Sequence, residues 1–141
     1  DSVNSLYYQQ RLATFSTQWR NAIAGWEARA ASLQGKKAIV YHKNWSYLFN
    51  WLGVDIVGDL EPKPGIPPTS THLTNLLGTA RAAQPFAIVI ANYQDEKGAN
   101  WLSKKASVPV VSLPFTVGGS EQANSLFSLY DEVLATLLRI P

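Results

Sequence analysis

The stretch "KKAIVYHKNWSYLFNWLGVDIVGDL", Lys36–Leu60, decides how the rest of the chain is read. It opens on an apolar, β-branched run, Ala38–Tyr41, and closes on another, Val54–Leu60. Such runs read as strands. The segment between them admits two periods. Trp45, Tyr47, Phe49 and Trp51 alternate, as on a half-buried strand, while Trp45, Leu48, Phe49 and Leu52 follow i, i+3, i+4, i+7, as on a helix. The flanking residues favour the helix. Asn44 is a good N-cap, and Gly53 suits the left-handed position after a helix. The stretch therefore reads strand–helix–strand, with His42 where the first strand ends.

Downstream the same alternation continues. "EPKPGIPPT", Glu61–Thr69, is a rigid proline loop, and "STHLTNLLGTARAAQ" is a helix capped by Thr69 or Ser70. "PFAIVIA" reads as a buried strand, "DEKGANWLSKKA" as a helix capped by Asp95, and "VPVVSLP" as a strand. The chain closes on a loop and a helix with Leu126, Leu129, Tyr130, Val133, Leu137 and Leu138 facing inward. Upstream, Tyr8, Leu12, Phe15, Trp19, Ile23, Trp26, Ala30 and Leu33 form one helical stripe, read as core, with Asn4 or Ser5 at its start and Gly35 after its end. Short apolar strands alternating with helices call for a parallel sheet covered on both faces. The expected fold is α/β: a four-stranded parallel sheet with helices on both faces, preceded by a long N-terminal spine helix. The chain divides into that helix, residues 1–35, and an α/β lobe, residues 36–141.

Composition sets limits on function. The 141 residues are 46% apolar but only 16% charged, against about 25% in a typical domain. Part of the surface is therefore expected to be covered. The net charge is +2, and Lys36-Lys37 and Lys104-Lys105 are the only basic doublets. Nucleic-acid binding needs clustered cations, so it is not expected. With no cysteine, disulfides and thiolate metal sites are excluded. The absence of methionine suggests a processed product or a fragment of something longer. No apolar run approaches the roughly 20 residues that span a bilayer.

In an open parallel sheet, ligands bind at the carboxyl ends of the strands. The loops leaving that edge begin at His42, Glu61, Asn92-Tyr93 and Phe115–Gly119. A neutral imidazole at His42 could ligate zinc or another borderline metal, or simply hold its loop by hydrogen bonds. His72, in the first turn of a helix on the same edge, is either a second ligand or a solvated side chain. Asp55, Asp59 and Glu61 flank a strand without forming a convincing carboxylate pair, and Asp131-Glu132 read as solvent-facing. Gly118-Gly119, placed before the last helix, could offer amides to an anion. No phosphate-loop or nucleophile-elbow pattern accompanies them.

The run "YHKNWSYLFNWLGVDIVGDLEPKPGIPPT" resembles the C-terminal lobe of the solute-binding proteins of zinc and manganese ABC transporters. The matching features are a strand ending Tyr41-His42, an aromatic helix ending Leu52-Gly53, and a proline motif from Glu61 to Thr69. "VPVVSLPFTVGG" resembles the family's last strand and loop, and the opening helix resembles the helix joining its two lobes. The resemblance implies a metal held between two lobes, with His42 as this lobe's first ligand. At the position where the family usually places an aspartate ligand stands Val117, which cannot coordinate. Asn92 stands where related sequences often carry glutamate. Glu61, Asn92, Tyr93 and Val117 are expected to line the cleft or support His42. The implied cargo is Zn2+, with Mn2+ less favoured by a nitrogen donor. The implied setting is periplasmic or extracytoplasmic. The implied partners are an absent N-terminal lobe and an ABC permease, with a homodimer through the open inter-lobe surface as a further expectation. No catalysis is expected. The alternatives are an orphan lobe acting as an interaction module, or a small anion binder using Gly118-Gly119.

Overall fold

A computed structural model describes residues 2–63 and 65–141. The chain opens with α1 (Ser5–Ala30), which tightens into a 3-10 turn at Ala31–Leu33 before β1 (Lys37–Val40). A second 3-10 turn, Lys43–Trp45, leads into α2 (Ser46–Leu52), followed by β2 (Asp55–Asp59) and α3 (Ser70–Ala83). Then come β3 (Ala87–Ala91), α4 (Lys97–Ala106), β4 (Val110–Leu113) and α5 (Leu126–Leu138). The strands form one sheet in the order β2-β1-β3-β4, and every pairing is parallel. The expected α/β architecture is what the chain adopts.

The two faces of the sheet follow from the period of two along each strand. Ala38, Val40, Ala87, Val89 and Ala91 pack with Trp26, Leu33, Phe49, Leu134 and Leu137 against α1, α2 and α5. Ile39, Ile88 and Ile90 point the other way, to Leu76, Ala80, Ala99 and Leu102 of α3 and α4. Large β-branched residues on one side and small ones on the other let the bulky aromatics of α1 and α2 approach the first face closely.

Three sequence expectations change. The stripe on α1 is core only in its second half. Trp26 and Ala30 are buried, whereas Leu6, Tyr7, Tyr8 and Leu12 are more than half exposed. The reason is length: 26 residues of α1 span about 39 Å, but the 13 residues of α5 that cover it span about 20 Å. Asn44 does not cap α2. It lies inside the 3-10 turn, and α2 begins at Ser46, whose hydroxyl donates to the Lys43 carbonyl at 2.7 Å. Leu126 is exposed, and Leu134 takes its place in the core. Gly53 does end α2 in the left-handed conformation, at φ 68°.

Asp131 and Glu132 are also more than solvated carboxylates. Asp131 accepts from the Trp26 indole N–H at 3.0 Å and from Arg29 at 2.6 Å, tying α5 to α1. Glu132 accepts from the Ser120 hydroxyl at 2.5 Å, fixing the loop before α5.

Candidate functional site

The site is built on an irregularity in the sheet. Lys37 and Ala38 pair with Asp55 and Ile56, but Ile39 pairs with Gly58 and Val40 with Asp59. Val57 is therefore an extra residue, a bulge in β2. A one-residue offset exchanges the side chains facing a neighbour. Continued past the strands, the shifted register puts Glu61 opposite His42; without the bulge the apolar Leu60 would stand there. The backbone holds this register, because the amides of Leu60 and Glu61 donate to the carbonyls of Val40 and Tyr41 at 2.9 and 3.1 Å. Gly58 belongs to the same device. A Cβ on it would stand 2.5 Å from Leu76 Cδ1, so any larger residue would force the Leu76 side chain to move where β2 lies against α3.

His42 leaves β1 in an extended conformation, φ −135° and ψ 155°. Its Nδ1 is 2.5 Å from Glu61 Oε2, with the two side chains 35% and 15% exposed. A carboxylate can only accept, so Nδ1 carries the proton, and in the neutral form of the ring Nε2 keeps its lone pair. The contact orients the imidazole so that Nε2 is the nitrogen open to a Lewis acid. Beside it, Lys43 Nζ lies 3.8 Å from Asp59 Oδ2. Tyr41 is buried on the opposite face of the strand. Its hydroxyl is held above the ordinary phenol range by desolvation, with the Glu61 and Asp95 carboxylates adding to the effect.

The other expected site residues are only partly brought together. His72 does not join His42. Its Nε2 donates to the Asp59 carbonyl at 2.8 Å, while its backbone amide takes the Thr69 cap. Its ring locks the proline loop to β2. Asn92 donates through Nδ2 to the Gly119 carbonyl, joining the loops after β3 and β4. Tyr93 is two-thirds exposed, and its hydroxyl accepts from Asn44 Nδ2 at 3.5 Å. Val117 is exposed in the loop after β4. The amides of Gly118 and Gly119 donate to Ala123 and Thr116 carbonyls, and α5 begins only at Leu126. These two amides are therefore committed and stand before the helix start, which counts against the anion binder raised as an alternative. Among the described residues no group of three or more His, Asp or Glu could hold a metal. Of the four residues expected to line the cleft or support His42, Glu61 is the one that bonds to it; the signal that singles it out is the one-residue excess in β2, which only the register reveals.

The family model described as "Zinc-uptake complex component A periplasmic" (ZnuA) matches residues 1–139. The chain belongs to this family. The likeness is that of one lobe of a metal-binding solute-binding protein. FpvC of Pseudomonas aeruginosa, solved with Ni2+, is 19% identical, with a TM-score of 0.77 over 99% of this chain and 53% of its own. A structure of ZnuA is 18% identical, with a TM-score of 0.78 over 98% of this chain and 51% of its own. The laminin-binding protein Lbp of Streptococcus pyogenes is 15% identical, with a TM-score of 0.79 over all of this chain and 56% of its own. This ZnuA-family chain thus spans about half the length of the solved structures it matches. No curated protein matches it. Among its described residues, no helix is long and apolar enough to cross a membrane.

Proposed function

We propose that this chain is the C-terminal lobe of an extracytoplasmic receptor that captures zinc and hands it to an ABC permease, and that His42 Nε2 is this lobe's metal ligand. The observation that carries the reading is the His42–Glu61 pair, 2.5 Å between Nδ1 and Oε2 at the carboxyl edge of the sheet. A ligating imidazole commonly donates its other N–H to a carboxylate, which fixes its tautomer and strengthens the donor. Nitrogen donation favours zinc over manganese. The protein acts by binding and release rather than by catalysis. Membership of the ZnuA family and the half-length match support a second lobe opposite this one. The exposed apolar face of Tyr8, Leu12 and Phe15 is where that lobe would pack. In its absence, the same face would pair two copies of the chain.

The test is calorimetric titration of the chain with Zn2+ and Mn2+. One imidazole leaves most coordination positions to water, so binding should be weak, stronger for Zn2+, and abolished by His42→Ala. Val117→Asp should strengthen it by restoring an oxygen donor. Undiminished zinc binding by His42→Ala would remove His42 from the site.

A further inference from the structure

A separate cavity lies on the α3–α4 face of the sheet, between the starts of those two helices and the end of the proline loop. Its volume is about 460 Å3, within the roughly 300–1,000 Å3 that small-molecule sites occupy. The walls are apolar: Pro67, Pro68, Leu73 and the indole of Trp101, which is 37% exposed. Tyr41 is the one buried residue in the lining. Its hydroxyl has no hydrogen-bond partner among the described residues. Nor is it one of the two sealed polar atoms that lack a partner, Asn44 Oδ1 and Trp45 Nε1. The hydroxyl is therefore still open to solvent, through the cavity that Tyr41 lines. Burial and the Glu61 and Asp95 carboxylates keep the phenol protonated, so it can both give and accept a hydrogen bond. Three polar side chains complete the lining. Asp95 Oδ2 lies 3.7 Å from Lys97 Nζ, and the Ser70 hydroxyl has no partner among the described residues.

This lining disfavours two kinds of occupant. A purely apolar molecule would seal the Tyr41 hydroxyl from water without giving it a partner, which is unfavourable. An ion would find no free counter-charge, because Asp95 and Lys97 already neutralise each other. The fitting occupant is neutral, with an apolar face for the indole and the prolines and several hydroxyls for the polar groups. A sugar ring has that form, with C–H bonds on its faces and hydroxyls around its rim. We propose that this cavity binds a single pyranose, stacked on Trp101, with one hydroxyl bonded to Tyr41 and others reaching Ser70 and the Asp95–Lys97 pair. Binding is non-covalent. The site does not include His42, so it stands independently of the metal-receptor reading.

The experiment is a nitrogen-15 NMR titration of the 141-residue chain with methyl glucoside and methyl galactoside, and with sorbitol and cyclohexanol as comparison probes. Sorbitol keeps the hydroxyls without the ring, and cyclohexanol keeps a ring with one hydroxyl. At least one glycoside should saturate in the millimolar range and shift the Trp101 indole and the Ser70 amide. Both comparison probes should bind about tenfold more weakly or not at all. Trp101→Ala should weaken glycoside binding about tenfold, the scale of an aromatic contact. Tyr41→Phe should weaken it about three- to tenfold, the worth of one neutral hydrogen bond. Because the Tyr41 hydroxyl has no partner in the chain, Tyr41→Phe should leave the melting temperature no lower than the parent's. A lower melting temperature would show that the hydroxyl holds the fold instead, and overturns the proposal. So does the absence of a saturable shift with either glycoside, or sorbitol or cyclohexanol binding as tightly. Shifts confined to residues outside the cavity, or undiminished binding by Tyr41→Phe, overturn it as well.

Discussion

Glu61 offers the sharpest perturbation of the site that leaves the ligand itself untouched. Its Oε2 lies 2.5 Å from His42 Nδ1, and its side chain is 15% exposed. The carboxylate fixes which imidazole nitrogen carries the proton, sets the ring's direction, and makes Nε2 a stronger donor. Losing such a partner typically costs 10–100-fold in metal affinity, which is about 1.4–2.7 kcal/mol. Glutamine keeps an oxygen able to accept from Nδ1 but drops the charge, so Glu61→Gln should fall near the tenfold end. Alanine drops both, so Glu61→Ala should approach the hundredfold end. The fold should suffer less. The backbone bond from Glu61 to Tyr41 is independent of the side chain, and water can reach the half-exposed imidazole, limiting the loss to about 1 kcal/mol. Zinc calorimetry on the parent and both variants, with thermal denaturation in metal-free buffer as a control, reads both effects. If Glu61→Ala binds zinc as tightly as the parent while remaining folded, the carboxylate does not orient a ligand and the reasoning fails.

Gly58→Ala should lower the melting temperature by the equivalent of about 1–3 kcal/mol, because its methyl would meet Leu76. It should also weaken zinc binding if the bulge shifts; an unchanged melting curve would show that β2 has room to spare. Asp131→Ala should cost about 1–3 kcal/mol in denaturant unfolding, since it strands the Trp26 indole N–H and frees Arg29. By light scattering, the chain should self-associate with rising concentration, and Tyr8→Lys with Leu12→Glu should reduce this, because those side chains form part of the exposed apolar face of α1. A monomer at every concentration would count against that face as a sticky surface.

The sheet was legible in the sequence because all four strands are apolar runs set off by recognisable breaks, and Gly53 ends α2 as its type suggests. His42 was legible as a residue at the carboxyl edge for the same reason. The rest depended on information outside any local window. The stripe on α1 is continuous from Tyr8 to Leu33, yet only the part that α5 overlaps is covered. Periodicity reports which face is apolar, not how far the covering element reaches. The turn at Lys43–Trp45 displaced the cap expected at Asn44, since a 3-10 start competes closely with an α-helical one. Asp131 looked like a solvated helix charge because its partners, Trp26 and Arg29, lie about a hundred residues away in sequence. Glu61 was one of four residues expected to line the cleft or support His42, and the sequence could not single it out because the pairing depends on one extra residue in β2.

Whether a metal sits on His42 Nε2 decides the role of this lobe. With only two histidines in the chain, nitrogen-15 NMR of the imidazoles during zinc titration separates them cleanly. The expected result is a large shift of the His42 Nε2 resonance, a His42 Nδ1 that stays protonated against Glu61, and a His72 spectrum that hardly moves, because its Nε2 is committed to the Asp59 carbonyl. A zinc-dependent shift at His72 with His42 unchanged, or no shift at either ring, would contradict the assignment of this site.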